Sequence, residues 1–462
     1  MNDMNDIKHN MPLTNVGDLF KYDKNAGTFA LDRSVYTDSI IFDMEMEKIF
    51  ESNWIYLAHE SQLPNPGDYM LTSMGRREVI IVRGRDNIVR GLINACSHRG
   101  ARVCRTEKGS KRVFTCSYHG WVFGLKGELL AAQREDEFGP SFSRERLGLP
   151  PVARVESYRG FIFGSLNPEV VPLSEHLGGV ATVIDMLVDQ SPTGEWEVLK
   201  GYNRCLYRGN WKLLIENGGG DGLHAVPTHG NLMEIIKRRA ERDGGTPSVR
   251  FDQQFLGPKD AEQNGVNSAG EVAAIGNGHT LILQRFPDPS ARPSYVEFHD
   301  YLVDKYGAER ADVMCAYFRQ TCIYPNVFIM DQLATLIRYV KPISVDLTEI
   351  SFWCLAPVGE SEEMRTVRLR QFEEFFMGSG MGTTDDNAEF EEVQRGALCG
   401  SNKESDLSFG MNSLVSGPSM AMERFGIPAE FHGVFGYEGA SLTQYQRWAD
   451  LLTDTATEQG ER

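Results

Sequence analysis

Residues 96 to 119 read CSHRGARVCRTEKGSKRVFTCSYH, and no other stretch restricts the fold so tightly. One residue separates Cys96 from His98, two separate Cys116 from His119, and 17 lie between the pairs. Residues i and i+2 of an extended chain face the same side, so a Cys-x-His pair offers two metal ligands from one tight loop. The runs around it, VIIVRG, RVFTC, WVFGL and FIFGSL, are β-rich and are separated by Gly, Asp-Asn, Lys-Gly and Pro turn signals. This predicts a small all-β module from about Asp68 to Phe163 in which two loops form a four-ligand pincer.

The order Cys, His, Cys, His selects the metal group. A zinc finger pairs its cysteines together and its histidines together on a ββα unit, which these strand-rich surroundings do not offer. A [2Fe–2S] centre with two cysteines on one iron and two histidines on the other takes one of each from each loop. Gly100, Gly109, Gly120 and Gly124 allow backbone amides to approach bridging sulfides, and Trp121 is placed to shield the cluster. The eight cysteines, at 96, 104, 116, 205, 315, 322, 354 and 399, are too sparse for a disulfide scaffold. In the same segment Arg99, Arg102, Arg105, Lys108, Lys111 and Arg112 face only Glu107, a basic patch that suits an acidic electron-donor protein.

A second constellation lies in residues 210 to 230, NWKLLIENGGGDGLHAVPTHG. His224 and His229 are five apart, roughly 140° around a regular helix, so they meet one metal only if the helix stops between them. Pro227 is expected to stop it. Asp221 and His224, at i and i+3, share a helical face, so the carboxylate can hold the second ring nitrogen of His224, and Asn217 falls on that face too. Gly218, Gly219 and Gly220 each cost a helix about 1 kcal/mol relative to alanine, which predicts a widened turn, a close approach of substrate, or simply a loop. Two histidines with one carboxylate and open positions make a non-haem iron site, and GMGTTDDNAEF offers Asp385 or Asp386 as the third ligand.

With 462 residues the chain has material for two or three domains. Its 64 acidic and 47 basic residues, net −17, repel nucleic acids and anionic membranes. The polar start MNDMNDIKHN and the lack of any apolar run of about 18 residues point to a soluble, cytoplasmic protein. Phe42, Met46, Ile49 and Phe50 are spaced as one amphipathic helix capped by Asp38. The remainder reads as α+β: a helical stretch in VVPLSEHLGGVATVIDMLVD, a helix from Trp211, helices near 300 to 318 and 361 to 378, and strands HTLILQRF, NVFIM, TLIRYVKP and EISFWCLAP. Residues 252 to 275 read as a long loop.

The two constellations together resemble the catalytic α subunits of bacterial Rieske-type aromatic ring-hydroxylating dioxygenases. HESQLPNPGDY, ESYRGFIFGSLNPEV, VDQSPTGEWEVLKG, YLVDKYGAERA and GMGTTDDNAEF are most similar to the benzoate, anthranilate and toluate branch. The resemblance implies an α+β fold: an all-β Rieske [2Fe–2S] domain, residues 55–168, inserted into a helix-plus-antiparallel-sheet catalytic domain, 169–462, on which a helical segment, 1–54, packs. It implies cluster ligands Cys96, His98, Cys116 and His119, and mononuclear Fe(II) on His224, His229 and Asp386. Asp221 would be the bridge carrying electrons from the cluster of one subunit to the iron of its neighbour, with Asn217 beside the iron. The implied reaction inserts both atoms of O2 into an aromatic ring, that of an aromatic carboxylate first, to give a cis-dihydrodiol or catechol; the alternatives are a polycyclic or other aromatic substrate, or a Rieske monooxygenase or demethylase using the same iron site. Electrons would come from NAD(P)H through a flavin reductase, with or without a ferredoxin, in an α3β3 assembly with a small β subunit or an α3 trimer. Leu223 stands where many relatives have Tyr, and the ENG-x-DG stretch is one residue longer here. Leu223, Val226, Phe376 and Met381 are the candidate cavity walls.

Overall fold

In the computed structural model, residues 16–242, 270–286, 289–378, 380, 382–400 and 403–453 are described. The opening segment belongs physically to the far end of the chain. Thr28–Asp32 pairs antiparallel with Glu404–Asp406, and α1 (Ser39–Glu45), capped by the Asp38 side chain on the Ile40 N–H, runs into a π-helical turn, Met46–Glu51. The single helix expected there is therefore α-helical only in its first part.

The β-rich module follows as three small antiparallel sheets. Val89–Ile93, Arg77–Arg83, Asp68–Met74 and Lys108–Ser110 form one, and Leu129–Ala131, Val122–Phe123 and Phe114–Thr115 a second. Arg154–Tyr158, Phe161–Ser165 and Ile55–His59 form the third. The module has its own apolar core, in which Ile80, Val82, Leu92, Phe114 and Phe123 pack with Cys96, Cys116 and Trp121.

The chain then builds a large antiparallel sheet. β1 (Thr280–Arg285), β2 (Tyr317–Ile323), β3 (Val327–Asp331), β4 (Thr335–Ser344) and β5 (Leu347–Pro357) are successive neighbours at its centre. Glu271–Ala274 extends it beyond β1, so the end of the predicted 252-to-275 loop is a strand, while 252–269 lie outside the described residues. Near-continuous burial of β2, β3 and β4 fits a sheet covered on both faces. Helices α2 (Trp211–Gly220), α3 (Ala225–Arg242), α4 (Thr383–Cys399) and α5 (Gly439–Thr453) pack with it. An all-β module thus interrupts a helix-plus-antiparallel-sheet domain, the predicted α+β class.

The three glycines of α2 are helical rather than looped. A Cβ on Gly218 would come 2.7 Å from the Phe328 ring, on Gly219 2.2 Å from the Gln444 amide, and on Gly220 2.5 Å from Ala440. The close approach is to β3 and α5, not to substrate. Around the same helix the opening segment is tied down by charge. Glu45 is fully buried and accepts hydrogen bonds from Lys212 Nζ (2.5 Å), Trp211 Nε1 (2.8 Å) and Trp448 Nε1 (2.7 Å). Glu45→Ala would strand the Lys212 cation and two indole donors, and should lower stability by about 3–5 kcal/mol in urea unfolding. A loss below about 1 kcal/mol would show that the network is not holding the segment.

Candidate metal centres

The first centre is two copies of one loop. Cys96 N–H donates to Ala101 O (2.8 Å) and Gly100 N–H to Cys96 O (2.7 Å). Cys116 N–H donates to Trp121 O (2.8 Å) and Gly120 N–H to Cys116 O (2.9 Å). Both turns need a left-handed residue at the same place, supplied by Gly100 (φ 71°) and Gly120 (φ 69°). The copies differ in one respect: histidine is the second residue after Cys96 but the third after Cys116. The loops meet so that both cysteines are buried while the half-buried imidazoles of His98 and His119 lie 4.6 Å apart.

Burial pushes the Cys96 thiol pKa up, as does the Cys116 thiol beside it, while the N–H groups of His98 and Arg99 pull it down. Amides therefore do reach ligand sulfur, from the loop backbone. Gly100 and Gly120 shape that backbone, whereas Gly109 packs against Tyr69 and Gly124 against Glu128. Trp121, 2% exposed, stacks on His98 at 4.9 Å with rings 6° from parallel, the shielding expected of it. His98 Nδ1 is buried with no hydrogen-bond partner. Two thiols, two imidazoles and an unsatisfied ring nitrogen fit a [2Fe–2S] group. The basic patch is less one-sided than expected. Arg102 pairs with Glu78 (2.8 Å), and Glu107 turns away to Arg204 (2.8 Å) and the Tyr202 hydroxyl (2.7 Å).

At the second centre the helix break lies upstream of where Pro227 was expected to make it. α2 ends at Gly220, and Asp221 Oδ1 accepts from Leu223 N–H (2.8 Å) and His224 N–H (3.3 Å), closing a turn. α3 then begins at Ala225. Pro227 is its third residue, where a missing N–H costs no helical hydrogen bond, and the helix is instead distorted at His229 (φ −100°, ψ 16°). That distortion, with His224 just outside the helix, brings the two imidazoles to 5.4 Å between centroids.

The third donor comes from α4, whose buried face runs Thr383, Asp386, Phe390 and Gln394. Asp386 Oδ1 lies 3.1 Å from His229 Nε2 and 3.6 Å from His224 Nε2, and the donor atoms of the three residues all fall within 4.8 Å of one another. Asp386 Oδ1 is buried and makes no hydrogen bond of good geometry. Such an oxygen between two imidazole nitrogens fits a metal ion. A carboxylate lies behind each ring: Asp221 Oδ2 is 3.2 Å from His224 Nδ1, an ion-pair distance without hydrogen-bond geometry, and Asp385 Oδ2 is 3.5 Å from His229 Nδ1. Burial works against the Asp221 anion, but His224 and the two N–H donors outweigh it and hold its pKa below the usual carboxylate range. Burial likewise lowers the His229 pKa, and Asp386 and Asp385 outweigh it in the opposite direction.

The triad opens on a cavity of about 410 Å³ with mainly apolar walls from Leu232, Ile282, Phe286, Phe318, Met330 and Phe375. Phe376, one of the expected walls, lines it, together with Asn217 and Asp221. Leu223 does not: its side chain is 48% exposed, because the turn at Asp221 points it outward. Met381 and the Val226 side chain lie outside the described residues. Sequence reasoning missed Gln320 and Arg338, which reach the cavity from the central strands, and Gln332, which reaches it from the bend between β3 and β4. Arg338 carried one usable signal, a lone charge inside the apolar strand run TLIRYV.

Residues 53–156 match the family model of the Rieske [2Fe-2S] domain, and residues 191–450 that of the ring hydroxylating alpha subunit (catalytic domain). The chain is 41% identical to the 2-halobenzoate 1,2-dioxygenase large subunit of Burkholderia cepacia, over 93% of this chain and 90% of that one. It is 39% identical to the toluate 1,2-dioxygenase subunit alpha of Pseudomonas putida, over 97% and 96%. Among solved structures, naphthalene 1,2-dioxygenase from Rhodococcus sp. bound to indole shares the fold, with a TM-score of 0.79 at 24% identity over 96% of this chain and 97% of that one. Among the described residues no helix is long and apolar enough to cross a membrane. With its paired Cys/His loops and its His/His/Asp triad, the chain belongs to the Rieske-type aromatic ring-hydroxylating dioxygenases, as a catalytic α subunit that carries a [2Fe–2S] cluster and uses mononuclear iron.

Proposed function

We propose that this α subunit dioxygenates a small aromatic carboxylate of the benzoate type. The convergence of His224, His229 and Asp386 on one side of an apolar cavity that also holds a buried arginine carries the reading. Cys96, His98, Cys116 and His119 hold the cluster, and His224, His229 and Asp386 hold the iron, each histidine oriented by an acid at its other nitrogen. When bound, the two groups supply single-electron transfer and O2 activation, chemistry that side chains lack. The chain's own part is to place the ring. Phe286, Phe318, Phe375 and Phe376 give the apolar walls that an aromatic ring fills.

Asp221 is the bridge toward the cluster of a neighbouring subunit. Its side chain is 38% exposed in the single chain, so a second copy can reach it from outside while His224 holds it from inside. Such use of a neighbour requires a ring of α subunits, α3 or α3β3, with a small β subunit in the latter. The cluster loops expose Arg99, Arg105, Lys108 and Arg112 for an acidic ferredoxin or flavin reductase fed by NAD(P)H, in the cytoplasm.

The test is product analysis under 18O2 with benzoate, anthranilate, salicylate and naphthalene, using a reductase that reduces the cluster. Benzoate-type acids should give a diol carrying two labelled oxygens. A single labelled oxygen would make the enzyme a monooxygenase, and turnover of naphthalene alone would remove the carboxylate from the substrate class.

A further inference from the structure

Among the described residues, one buried cation in the cavity has no anion within hydrogen-bond reach. Arg338 sits in β4, 3% exposed, and its register partners on β3 and β5 are Phe328 and Phe352. The guanidinium carbon lies 5.9 Å from the first ring centroid and 5.4 Å from the second, so the group is held between two aromatic rings. A guanidinium presents five N–H donors. Among the described residues the nearest acid oxygen, Asp386 Oδ2, is 3.8 Å from Nη2, beyond hydrogen-bond reach, and Nε is buried without a partner. Cys205 and Tyr207, the other titratable groups facing it, both have pKa values raised by burial and so stay neutral.

The cavity's second arginine, Arg285, is built differently. It lies 3.3 Å from Asp312, and its side chain is 35% exposed, so its charge is already balanced and wet. Arg338 is dry, fixed in plane, and open to the cavity. Asp386 turns Oδ1 to the histidines and faces Arg338 only through Oδ2, at 3.8 Å, an electrostatic contact that leaves Nε without a partner. Buried charges are retained in proteins when something pairs with them. The planar fork matches a carboxylate through two parallel N–H···O bonds, a match that a lysine or a neutral amide cannot give.

We propose that Arg338 is the residue that receives the substrate's carboxylate, so that the aromatic acid enters the cavity charged and is held by a two-point contact beside the metal triad. This deepens the substrate class proposed above and rests on it. A neutral aromatic of equal size would leave the guanidinium unpaired, and the cavity should reject it for that reason rather than by shape.

The test is calorimetric binding of benzoate and of benzamide to the fully metal-loaded enzyme without O2, for wild type, R338Q and R338K, with iron content and the cluster's visible spectrum recorded for each. Wild type should prefer benzoate to benzamide, and R338Q should raise the Kd of benzoate about 30-fold or more while shifting benzamide less than about threefold. R338K, which keeps the charge but loses the fork, should fall between. Unchanged benzoate affinity in a folded R338Q overturns the proposal. So does loss of iron with equal loss of both ligands, since Arg338 would then act only by positioning Asp386. If R338Q does not fold, R338K and the wild-type preference decide: equal wild-type affinity for acid and amide, or an R338K that binds benzoate like wild type, overturns it. Wild-type enzyme that binds no aromatic acid but hydroxylates naphthalene defeats the substrate class itself. Binding of the acid without help from Arg338 defeats only its assigned receiver.

Discussion

Asp386→Ala should abolish turnover, remove the mononuclear iron, and leave the visible spectrum of the cluster untouched. The separation follows from construction. The cluster's two cysteines belong to the core of the β module, with Ile80, Phe114 and Phe123, whereas Asp386 stands on a helix packed against the large sheet. Among the described residues no hydrogen bond of good geometry uses Asp386 Oδ1, so its removal costs the metal rather than the helix. The neighbouring acid supplies the control. Asp385 contacts His229 only from behind, at 3.5 Å, so Asp385→Asn should weaken iron binding or activity by about 10–100-fold and leave a measurable enzyme. Iron counted after dialysis should fall from three to two per chain in D386A, two being the cluster's own. Loss of the red-brown spectrum along with the third iron would mean that the centres are not separate, and D385N more damaged than D386A would reverse the assignment of ligand and supporting acid.

That last distinction shows what the residues alone could carry. Asp385 and Asp386 are equivalent as motif letters but about 100° apart on a helix, and the side that is buried decides between them. Phe390 and Gln394, four and eight residues beyond Asp386, share its face and are buried with it. A helical-face reading of α4 therefore held the answer. The cluster loops were legible for a simpler reason: ligands two and three residues from their cysteines, each loop closed by a glycine at the fifth position, need no tertiary information. The histidine pair was found, but on the wrong cause. Pro227 is harmless in the first turn of α3, and what joins the rings is the Asp221 turn before His224 together with the distortion at His229. The glycine triplet likewise marked a packing surface against Phe328, Gln444 and Ala440 rather than a substrate approach. The cavity wall was the least legible part. Strands far apart in sequence supply it, and an apolar strand residue looks the same whether it faces a substrate or the core.

Asp221→Asn should keep the iron and the cluster but disconnect them. The amide oxygen can still accept from the N–H groups of Leu223 and His224, which now hold Asp221 Oδ1 at 2.8 and 3.3 Å, so the turn that presents His224 survives. What disappears is the negative charge 3.2 Å from His224 Nδ1. That charge favours proton donation by the ring nitrogen and keeps the other nitrogen free to bind metal, and it lies on a side chain that is 38% exposed. A purely structural role for Asp221 predicts partial iron loss and a proportionate fall in rate, cured by adding iron. A bridging role predicts full iron, a normal reduced-cluster EPR signal, and a cluster that stays reduced when benzoate and O2 are added to the pre-reduced enzyme. Steady-state activity should then fall by about 100-fold or more, without rescue by iron. Reoxidation of the cluster at the wild-type rate in iron-replete D221N would exclude the bridge, and Asp221 would remain only as the acid that orients His224.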